Sequence, residues 1–341
     1  MRIAQVMAGA VNGGAELFFE RLTLALARDG QDILPIIRRE PVRSGKFLEA
    51  GLKPVQLRFG SALDFSTKPA IRTALRAFNA DVAIAWMSRA ANSLPTGDWT
   101  NIGRLGGYYD LKYYGACRYL VGNTHGIVDH IVAGGFPPDR VRYLPNFVTD
   151  FSAEDAVPRA DLGVPEAAPL MLALGRLHKV KGFDTLIRAT ALLPGVYCVI
   201  AGEGPERSAL ECLIAELRLG DRVKLLGWRN DSGALLKAAD IFVSSARHEP
   251  LGNTMLEAFS AQTPVLATAA EGPSATIRPC EDGLIVPIEN PAALADAAKA
   301  LLGDTRLRVK LALAARQRFT AEFSEPTVTA AWMDFLRQVA G

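Results

Sequence analysis

Short apolar runs alternate with amphipathic stretches along the whole chain. The first half contains seven such runs, each with the length of a buried strand: RIAQVMA, DILPII, PVQLRF, DVAIAWM, NIGRL, YLVGN and VRYLPN. Between several of them, Ala15 to Arg28 and Ala70 to Phe78 repeat their apolar residues with helical periodicity. This βα alternation predicts a mostly parallel sheet covered by helices.

The same pattern begins again after a segment rich in proline, alanine and acidic residues, from about Thr149 to Pro169. The runs that follow this linker are LMLALGR, YCVIAGEG, RVKLLGW, DIFVSS, PVLAT and GLIVP. We therefore predict an α/β protein with two Rossmann-like, doubly wound domains, residues 1–155 and 165–320. Residues 321–341 are expected to form a closing helix with Trp332 and Phe335 on its apolar side.

The composition limits the class of protein. With 341 residues, 49% hydrophobic and 22% charged, the chain fits a soluble globular protein of two domains. The four cysteines lack C-x-x-C or metal-site spacing, which favours free thiols in a reducing compartment. No apolar run approaches the roughly 20 residues of a membrane span, and MRIAQVMAGA fits a first strand better than a signal peptide. We expect a cytoplasmic protein.

Positive charge is concentrated in the first half. Residues 1–150 contain 18 Lys and Arg against 13 Asp and Glu, whereas the remainder contains 20 against 23. No helix-turn-helix, zinc spacing or aromatic-basic strand motif accompanies this charge, so a nucleic-acid partner is not expected.

Glycines and charged residues follow several predicted strands, where open α/β sheets bind ligands. The motifs are NGGAE (Asn12 to Glu16), LGRLHKVKGFDTLI with Arg176 and Lys181, IAGEGPER (Ile200 to Arg207) and LLGWRND (Leu225 to Asp231). Glu249 and Glu257 flank a Gly-Asn turn at Gly252, and buried carboxylates are costly unless something pairs with them. Taken singly, each motif also fits an ordinary loop.

Taken together, these motifs resemble a known family. Gly-Arg-x4-Lys-Gly, then GEGPER, then Glu-x7-Glu over Gly-Asn is similar to the retaining family-4 glycosyltransferases (glycosyl transferases group 1) of the GT-B fold, in particular those of bacterial lipopolysaccharide and glycolipid synthesis. GG-A-E near the start and LPNFV at the domain junction extend the resemblance over essentially the whole chain. It implies two domains that face a cleft, and a C-terminal helix that crosses back toward the N-terminal domain.

The resemblance also implies roles for individual residues. Arg176 and Lys181 would stabilise the leaving diphosphate, and Glu249 would hold sugar hydroxyls near the transferred carbon. Glu257 would bind the ribose. The other donor-binding positions would be Gly14, Gly202, Gly227, Trp228, Gly252, Asn253, Thr254 and Met255. Among these, Asn253 would cap its helix and leave the N–H groups of Thr254 and Met255 for phosphate.

The chain contains no Asp-x-Asp, so we expect metal-free catalysis and no cofactor. The resemblance further implies front-face transfer with retention and a UDP- or GDP-linked sugar as donor. One departure concerns the fifth strand of the first domain, where many members have a histidine that touches the donor sugar; here the stretch reads IGRLGGYYDLKYY. His125 and His130 follow the next strand and are expected at helix termini or the surface.

Tyrosines in that same stretch are candidates for acceptor binding: Tyr108, Tyr109 and Tyr113. A tyrosine pairs an apolar face with a hydroxyl and suits sugars or lipid interfaces, although a Tyr-rich helix packed on its own sheet is an equal alternative.

A basic amphipathic segment, Phe65 to Phe78, suggests where the protein works. Lys68, Arg72 and Arg76 share nearly one helical face beside Ile71 and Leu75, which could bind an anionic membrane surface. An ordinary surface helix fits almost as well. We therefore expect a peripheral protein at the inner face of a bacterial cytoplasmic membrane.

The leading hypothesis is a glycosyltransferase acting on a lipid-linked or lipopolysaccharide-type acceptor. Two alternatives remain. One is a nucleotide-sugar epimerase of similar fold, and the other is a non-catalytic nucleotide-sugar-binding partner subunit.

Overall fold

The computed structural model describes residues 1–9, 13–60 and 64–340. The chain divides into two compact units: residues 1–147 with 325–341, and residues 148–324. Each unit has its own parallel sheet, as the βα alternation predicts.

The sheet of the first unit has seven strands in the order β3-β2-β1-β4-β5-β6-β7. The strands are β1 (Arg2–Met7), β2 (Asp32–Arg38), β3 (Val55–Leu57), β4 (Val82–Trp86), β5 (Thr100–Leu105), β6 (Tyr119–Gly122) and β7 (Val141–Tyr143). The helices between them are α1 (Gly14–Arg28), α2 (Pro41–Glu49), α3 (Thr67–Phe78), α4 (Met87–Ser93) and α5 (His125–Ala133). The chain leaves β1 on one side for β2 and later returns on the other side as β4.

The sheet of the second unit has six strands in the order β10-β9-β8-β11-β12-β13. The strands are β8 (Leu170–Leu174), β9 (Tyr197–Ala201), β10 (Val223–Gly227), β11 (Ile241–Ser244), β12 (Val265–Thr268) and β13 (Leu284–Val286). The helices are α6 (Phe183–Ala191), α7 (Arg207–Glu216), α8 (Ser232–Ala238), α9 (Asn253–Ser260), α10 (Glu271–Thr276), α11 (Pro291–Gly303) and α12 (Thr305–Arg318). The strand order reverses between β8 and β11, which pair directly.

The last helix, Glu325–Ala340, packs within the first unit. Its Trp332 and Phe335 side chains are buried in a core cluster that also contains Phe18 and Trp86. Thr100 Oγ1 donates a hydrogen bond to the carbonyl oxygen of Val339 at 3.0 Å. The apolar face expected from the sequence is therefore used for packing.

The segment expected to be a linker is part of the second unit. Leu162 and Val164 are buried in a core cluster there, together with Val148. Arg159 donates hydrogen bonds to the carbonyl oxygens of Ala238 and Ala168, at 3.1 and 2.8 Å. Because these contacts fix the segment, the boundary between the units lies at residues 147 and 148 rather than between 155 and 165.

Helix α3 packs its apolar side against the core of the first unit. Its apolar residues Ile71 and Leu75 are fully buried in the core of the first unit. Lys68 and Arg76 on the adjoining face are exposed, and Arg72 is half-buried. The helix therefore presents charge to its surroundings, while its apolar face is already packed. No helix among the described residues has the length and apolarity needed to cross a membrane.

Candidate functional site

The predicted donor-binding residues of the second unit lie at the carboxyl ends of β8 to β11. The loop after β8 carries Arg176 and Lys181, and the loop after β11 carries Glu249. Because β8 and β11 are neighbours at the point where the strand order reverses, their loops meet at the usual ligand site of a doubly wound sheet.

Backbone hydrogen bonds hold the loop after β8 in place. The N–H of Leu177 donates to the carbonyl oxygen of Glu203 at 2.9 Å, and the N–H of Glu206 donates to that of Leu177 at 3.0 Å. Leu177 is fully buried, which turns the adjacent Arg176 outward. Arg176 is exposed and has no hydrogen-bond or ionic partner within the described part of the chain, so its guanidinium is available to an anionic ligand.

Lys181 and Glu249 form an ion pair. Lys181 Nζ donates to Glu249 Oε2, and both side chains are largely buried, with 24% and 15% of their surface exposed. Lys181 is the last residue of a short 3-10 turn, and its own carbonyl oxygen accepts a hydrogen bond from Ser245 Oγ at 2.9 Å. Gly182 follows with φ +61, and a Cβ there would lie 2.1 Å from the carbonyl oxygen of Ser245. The two loops are therefore in direct contact.

Arg247, in the loop after β11, also binds residues that follow β8. Its guanidinium donates to both carboxylate oxygens of Asp184, at 2.8 and 2.7 Å, and to the carbonyl oxygen of Lys179 at 2.7 Å. It also donates to Glu289 at 2.5 Å. The hydrogen bonds from Arg247 lower the pKa of Asp184, so the carboxylate stays ionised and the grip persists at neutral pH.

Glu271 supports Glu249 and the adjacent histidine. His248 Nδ1 lies 2.7 Å from Glu271 Oε1, and the N–H of Glu249 donates to Glu271 Oε2 at 3.2 Å. Burial alone would raise the pKa of Glu271, but hydrogen bonds from its own N–H, from His248 and from the Glu249 N–H lower it on balance. His248 thus lies beside the Lys181–Glu249 pair and is held by a carboxylate.

The start of α9 corrects the expected cap. Asn253 is the first residue of the helix, and the capping position is Gly252, with φ +88. The N–H of Met255 donates to the carbonyl oxygen of Gly252 at 3.0 Å, so it is not available to a phosphate. Met255 itself is buried in the core, which leaves the half-buried Thr254 as the more accessible N–H donor. Glu257, one turn later, has 9% of its surface exposed.

Two glycines, Gly202 after β9 and Gly227 at the end of β10, are in contact. The N–H of Gly202 donates to the carbonyl oxygen of Gly227 at 2.8 Å. A Cβ on Gly202 would lie 1.8 Å from the carbonyl oxygen of Gly175, so only glycine allows this approach. Trp228 follows β10 with 77% of its surface exposed, which leaves a large aromatic face for stacking.

In the first unit, Gly14 is the first residue of α1, and Gly13 lies against the carboxylate of Glu16. Asn12, the first residue of the predicted motif, lies outside the described residues. Gly14 belongs to the first unit, whereas the other predicted donor-binding residues belong to the second.

The acceptor candidates differ in exposure. Tyr108 and Tyr113 are exposed by 45% and 37%, Tyr109 is half-buried, and Tyr114 is buried. The stretch folds as a 3-10 turn, Leu111–Tyr114, rather than as a longer helix. The Tyr108 ring meets the His130 ring edge-to-face at 5.5 Å.

His125 and His130 occupy the first residue and the last turn of α5. The His125 ring stacks on Tyr143 at 4.0 Å, and His130 Nε2 lies 2.9 Å from the carbonyl oxygen of Tyr109. Both are helix-terminal, as expected from the sequence.

One residue that the sequence reading did not single out is Arg104, at the end of β5. It is 1% exposed, and its guanidinium lies 5.3 Å from the ring centre of Phe18 and 4.9 Å from that of Trp86. Arg104 Nη2 donates to Asn146 Oδ1 at 2.5 Å, and no carboxylate within the described residues pairs with it. Burial lowers its pKa to about 10. The sequence signal for this buried cation is a single arginine within the predicted strand NIGRL.

Within the residues that the structure describes, no group of three or more His, Cys, Asp or Glu side chains is arranged to hold a metal ion.

Comparison with known proteins shows similarity to glycosyltransferases along the whole chain. Residues 156–318 match the family model "Glycosyl transferases group 1". The chain is 37% identical over 330 residues to the lipopolysaccharide core biosynthesis glycosyltransferase LpsE of Rhizobium meliloti, with 95% of this chain and 96% of that protein covered. It is 35% identical over 348 residues to LpsD of the same organism, covering 100% and 99%.

The fold is also shared with solved structures. The Anabaena protein Alr3699/HepE, determined in complex with UDP, superimposes with a TM-score of 0.87 over 99% of this chain and 100% of that one, at 20% identity. With two Rossmann-like parallel-sheet units and this extended similarity to LpsE and LpsD, the protein belongs to the group 1 glycosyl transferases and has the GT-B fold.

Proposed function

We propose that this glycosyltransferase moves a sugar from a UDP- or GDP-linked donor to a lipid-linked or lipopolysaccharide-core type acceptor, with retention and without a metal ion. The carrying observation is that Arg176, Lys181 and Glu249 lie on adjoining loops at the switch point of the second sheet. LpsE and LpsD are named for lipopolysaccharide core biosynthesis. HepE has been determined with UDP and with UDP-glucose, which supports a nucleotide-sugar donor.

Arg176 and Lys181 would stabilise the leaving group. Arg176, free of partners within the described residues, and Lys181 would bind the diphosphate oxygens, where negative charge grows as the bond from the sugar to phosphate breaks. Lys181 is held by Glu249, so its ammonium is already positioned before the donor binds. Glu249 would accept hydrogen bonds from sugar hydroxyls beside the transferred carbon. Fixed charges of this kind need no reorganisation in the transition state.

The remaining donor contacts follow the strand ends. Glu257 would accept hydrogen bonds from the ribose hydroxyls, and the backbone at Gly227 with the Trp228 ring would contact the base. The half-buried N–H of Thr254, in the first turn of α9, would meet a phosphate. Gly202 allows its loop to lie directly against Gly175, which precedes Arg176.

The transfer step balances without a protein base. The bond between the sugar carbon and the diphosphate oxygen breaks, and the acceptor oxygen forms a new bond on the same face of the sugar. The acceptor proton passes to a diphosphate oxygen, so the products are the glycosylated acceptor and a nucleoside diphosphate. Retention follows from attack on the face that the leaving group vacates.

Peripheral binding at the inner face of the cytoplasmic membrane is part of this proposal. Because the apolar side of α3 is packed in the core, binding would rest on the outward charges of Arg72 and Arg76. Each basic residue near anionic headgroups contributes about 1 kcal/mol.

A nucleotide-sugar panel tests the function. The donor should raise the melting temperature by mass action, and transfer to a truncated lipopolysaccharide core oligosaccharide should yield a product with the anomeric configuration of the donor, by NMR. Turnover should survive EDTA. An inverted product, or loss of turnover on chelation that Mg²⁺ restores, would overturn the corresponding part of the mechanism. Binding of a donor without transfer to any such acceptor would favour a non-catalytic subunit instead.

A further inference from the structure

A cavity of about 380 Å³ lies at the switch point of the first sheet. Its walls come from the ends of the two neighbouring strands at that point, with Gly9 after β1 and Met87 to Arg89 after β4. Arg38 at the end of β2 and Glu16 from α1 also line it. Crevices of this position are where doubly wound sheets bind ligands, yet none of the donor motifs of the second unit contributes to it.

Two arginines in this cavity have no ionic partner. Arg38 and Arg89 are exposed, and neither side chain forms a hydrogen bond or ion pair within the described ranges of the chain. Two cations nearby in sequence do have an ionic partner: Arg43 and Lys46 both pair with Glu20, at 2.8 and 2.9 Å. Two unpaired guanidinium groups lining one crevice are suited to a ligand that carries negative charge.

The buried Arg104 adds to the positive potential of the same crevice. Its guanidinium lies against the Trp86 ring, which lines the cavity, and Arg104 Nε has no hydrogen-bond partner within the described residues. A buried cation without a carboxylate is screened little by solvent, so its field extends into the adjoining space.

A second cavity, of about 460 Å³, adjoins the first, because Arg89 lines both. Lys68 lies in its wall and, like the two arginines, has no ionic partner in the described chain. Asp64 is the carboxylate of this cavity, but it is already occupied by hydrogen bonds from Thr67, Gly60 and Ser66, which lower its pKa. The cations of the strip Arg38–Arg89–Lys68 are thus left for a ligand.

We infer that the strip Arg38–Arg89–Lys68 binds an acceptor saccharide that bears phosphate or carboxylate groups. This deepens the proposed function and rests on it for the identity of the reaction. Tyr109 in the first cavity offers its hydroxyl to a sugar hydroxyl, a contact that a bare anion would not use. The ligand class is therefore an anionic sugar, and its negative groups distinguish it from a neutral glycan of the same size.

The experiment uses the full-length protein and a truncated lipopolysaccharide core oligosaccharide in three forms. The forms are untreated, freed of phosphate esters with hydrofluoric acid, and carboxyl-reduced. Calorimetry measures binding of each form to the wild type and to Arg38→Gln, Arg89→Gln and Arg140→Gln. Arg140 is the matched control, because it is an exposed arginine of the same unit that lines neither cavity.

We expect Arg38→Gln and Arg89→Gln each to weaken binding of the untreated form about tenfold, while Arg140→Gln binds like the wild type. If the variants and the wild type bind the phosphate-free form equally, phosphate is the recognised group. If they bind the carboxyl-reduced form equally, the recognised group is carboxylate. In transfer assays the two variants should raise the acceptor KM and leave the donor KM unchanged.

Two failures are distinguishable. Equal binding of charged and uncharged forms, or arginine variants that bind like the control, would overturn the inference even if transfer proceeds. Charge-dependent binding that both variants lose, without transfer from any nucleotide-sugar, would overturn the proposed function and leave the anionic-saccharide site standing.

Discussion

Lys181 Nζ and Glu249 Oε2 form an ion pair although the residues are 68 positions apart in sequence. The contact joins the loop after β8 to the loop after β11, and it places an ammonium and a carboxylate side by side where the donor is proposed to bind. Each side chain therefore has both a structural partner and a proposed ligand. Arg176 differs, since it has no partner within the described residues.

This difference separates two variants. Arg176→Ala and Lys181→Ala should each lower kcat by about 10²-fold or more, because each removes a fixed charge from the leaving group. Lys181→Ala should also lower the melting temperature, since it leaves the largely buried Glu249 unpaired, whereas Arg176→Ala should not.

The control is Arg188→Ala, which removes an exposed arginine from α6 without touching the site. Steady-state kinetics and thermal unfolding of all three variants give the comparison. Unchanged turnover in both Arg176→Ala and Lys181→Ala would contradict the assigned roles.

Glu257 is proposed to act on affinity rather than on rate. Replacing it by alanine should weaken inhibition by the free nucleoside diphosphate, since the ribose hydroxyls lose their acceptor, and should alter kcat little. The measurement is the inhibition constant of UDP and of GDP for wild type and variant. A fall in kcat with an unchanged inhibition constant would assign Glu257 to the chemical step instead.

The fold could be predicted from the sequence, and the candidate donor motifs could be located in it, whereas the contacts between these motifs could not be predicted. Alternating βα periodicity predicts two parallel sheets, and the spacing from Arg176 to Glu257 locates the strand ends that carry the candidate site. The Lys181–Glu249 pair depends on β8 and β11 being neighbours, and strand order is not encoded in local periodicity.

Two other features show the same limit. Asn253 has the chemistry of a helix cap, but Gly252 takes that position because its φ of +88 sets the turn. Arg38 and Arg89 come from different strand ends, 51 positions apart, and they reach one cavity because β2 and β4 both pair with β1. Local sequence reasoning finds residues with suitable chemistry, and tertiary packing decides which of them meet.

Gly202 tests the close packing of the glycine loops. Gly202→Ala should destabilise the protein by about 2 kcal/mol or more, because a Cβ would lie 1.8 Å from the carbonyl oxygen of Gly175 and the φ is +153. Displacement of the loop that carries Arg176 should also weaken donor binding. Denaturant unfolding and calorimetric donor titration measure the two effects.

Gly220→Ala is the matched control for this prediction. Its added Cβ would meet no atom within 4 Å, so stability should change by less than about 1 kcal/mol. Equal stability of the two alanine variants would mean that the loops relax without cost.

Asp150 gives a pH-dependent contribution to stability. Hydrogen bonds from Arg316, at 2.6 and 2.8 Å, hold the pKa of Asp150 at about 2, against an ordinary value of 3.8. A carboxylate with a lowered folded-state pKa stabilises the fold above its unfolded pKa and loses that contribution as the pH falls through the folded value. Asp150→Asn should therefore lower the melting temperature at neutral pH, with a deficit that shrinks between about pH 4 and pH 2.

The expected deficit is small, below about 1 kcal/mol, because the Asp150 side chain is 47% exposed and the pair is screened. Asp155→Asn, at an exposed aspartate without a partner in the described chain, is the control, and its melting temperature at neutral pH should match that of the wild type. A deficit that stays constant or grows on acidification would contradict the role given to the Arg316 hydrogen bonds.

Membrane binding is expected to be electrostatic. Since Ile71 and Leu75 are packed in the core, α3 has no free apolar face to insert, and vesicle binding should be reversed completely by salt. Arg72→Glu with Arg76→Glu should weaken binding to vesicles of phosphatidylglycerol and phosphatidylcholine by about thirtyfold or more, from about 1 kcal/mol per charge. Lys68 is left unchanged because it lines the second cavity of the first unit.

The control is Lys299→Glu with Arg306→Glu, which reverses two exposed charges of the second unit and alters net charge equally. Flotation at low ionic strength gives the measurement, and pure phosphatidylcholine vesicles should bind neither protein. If the α3 variant and the control bind anionic vesicles equally, or if binding persists at high salt, this helix is not the docking surface.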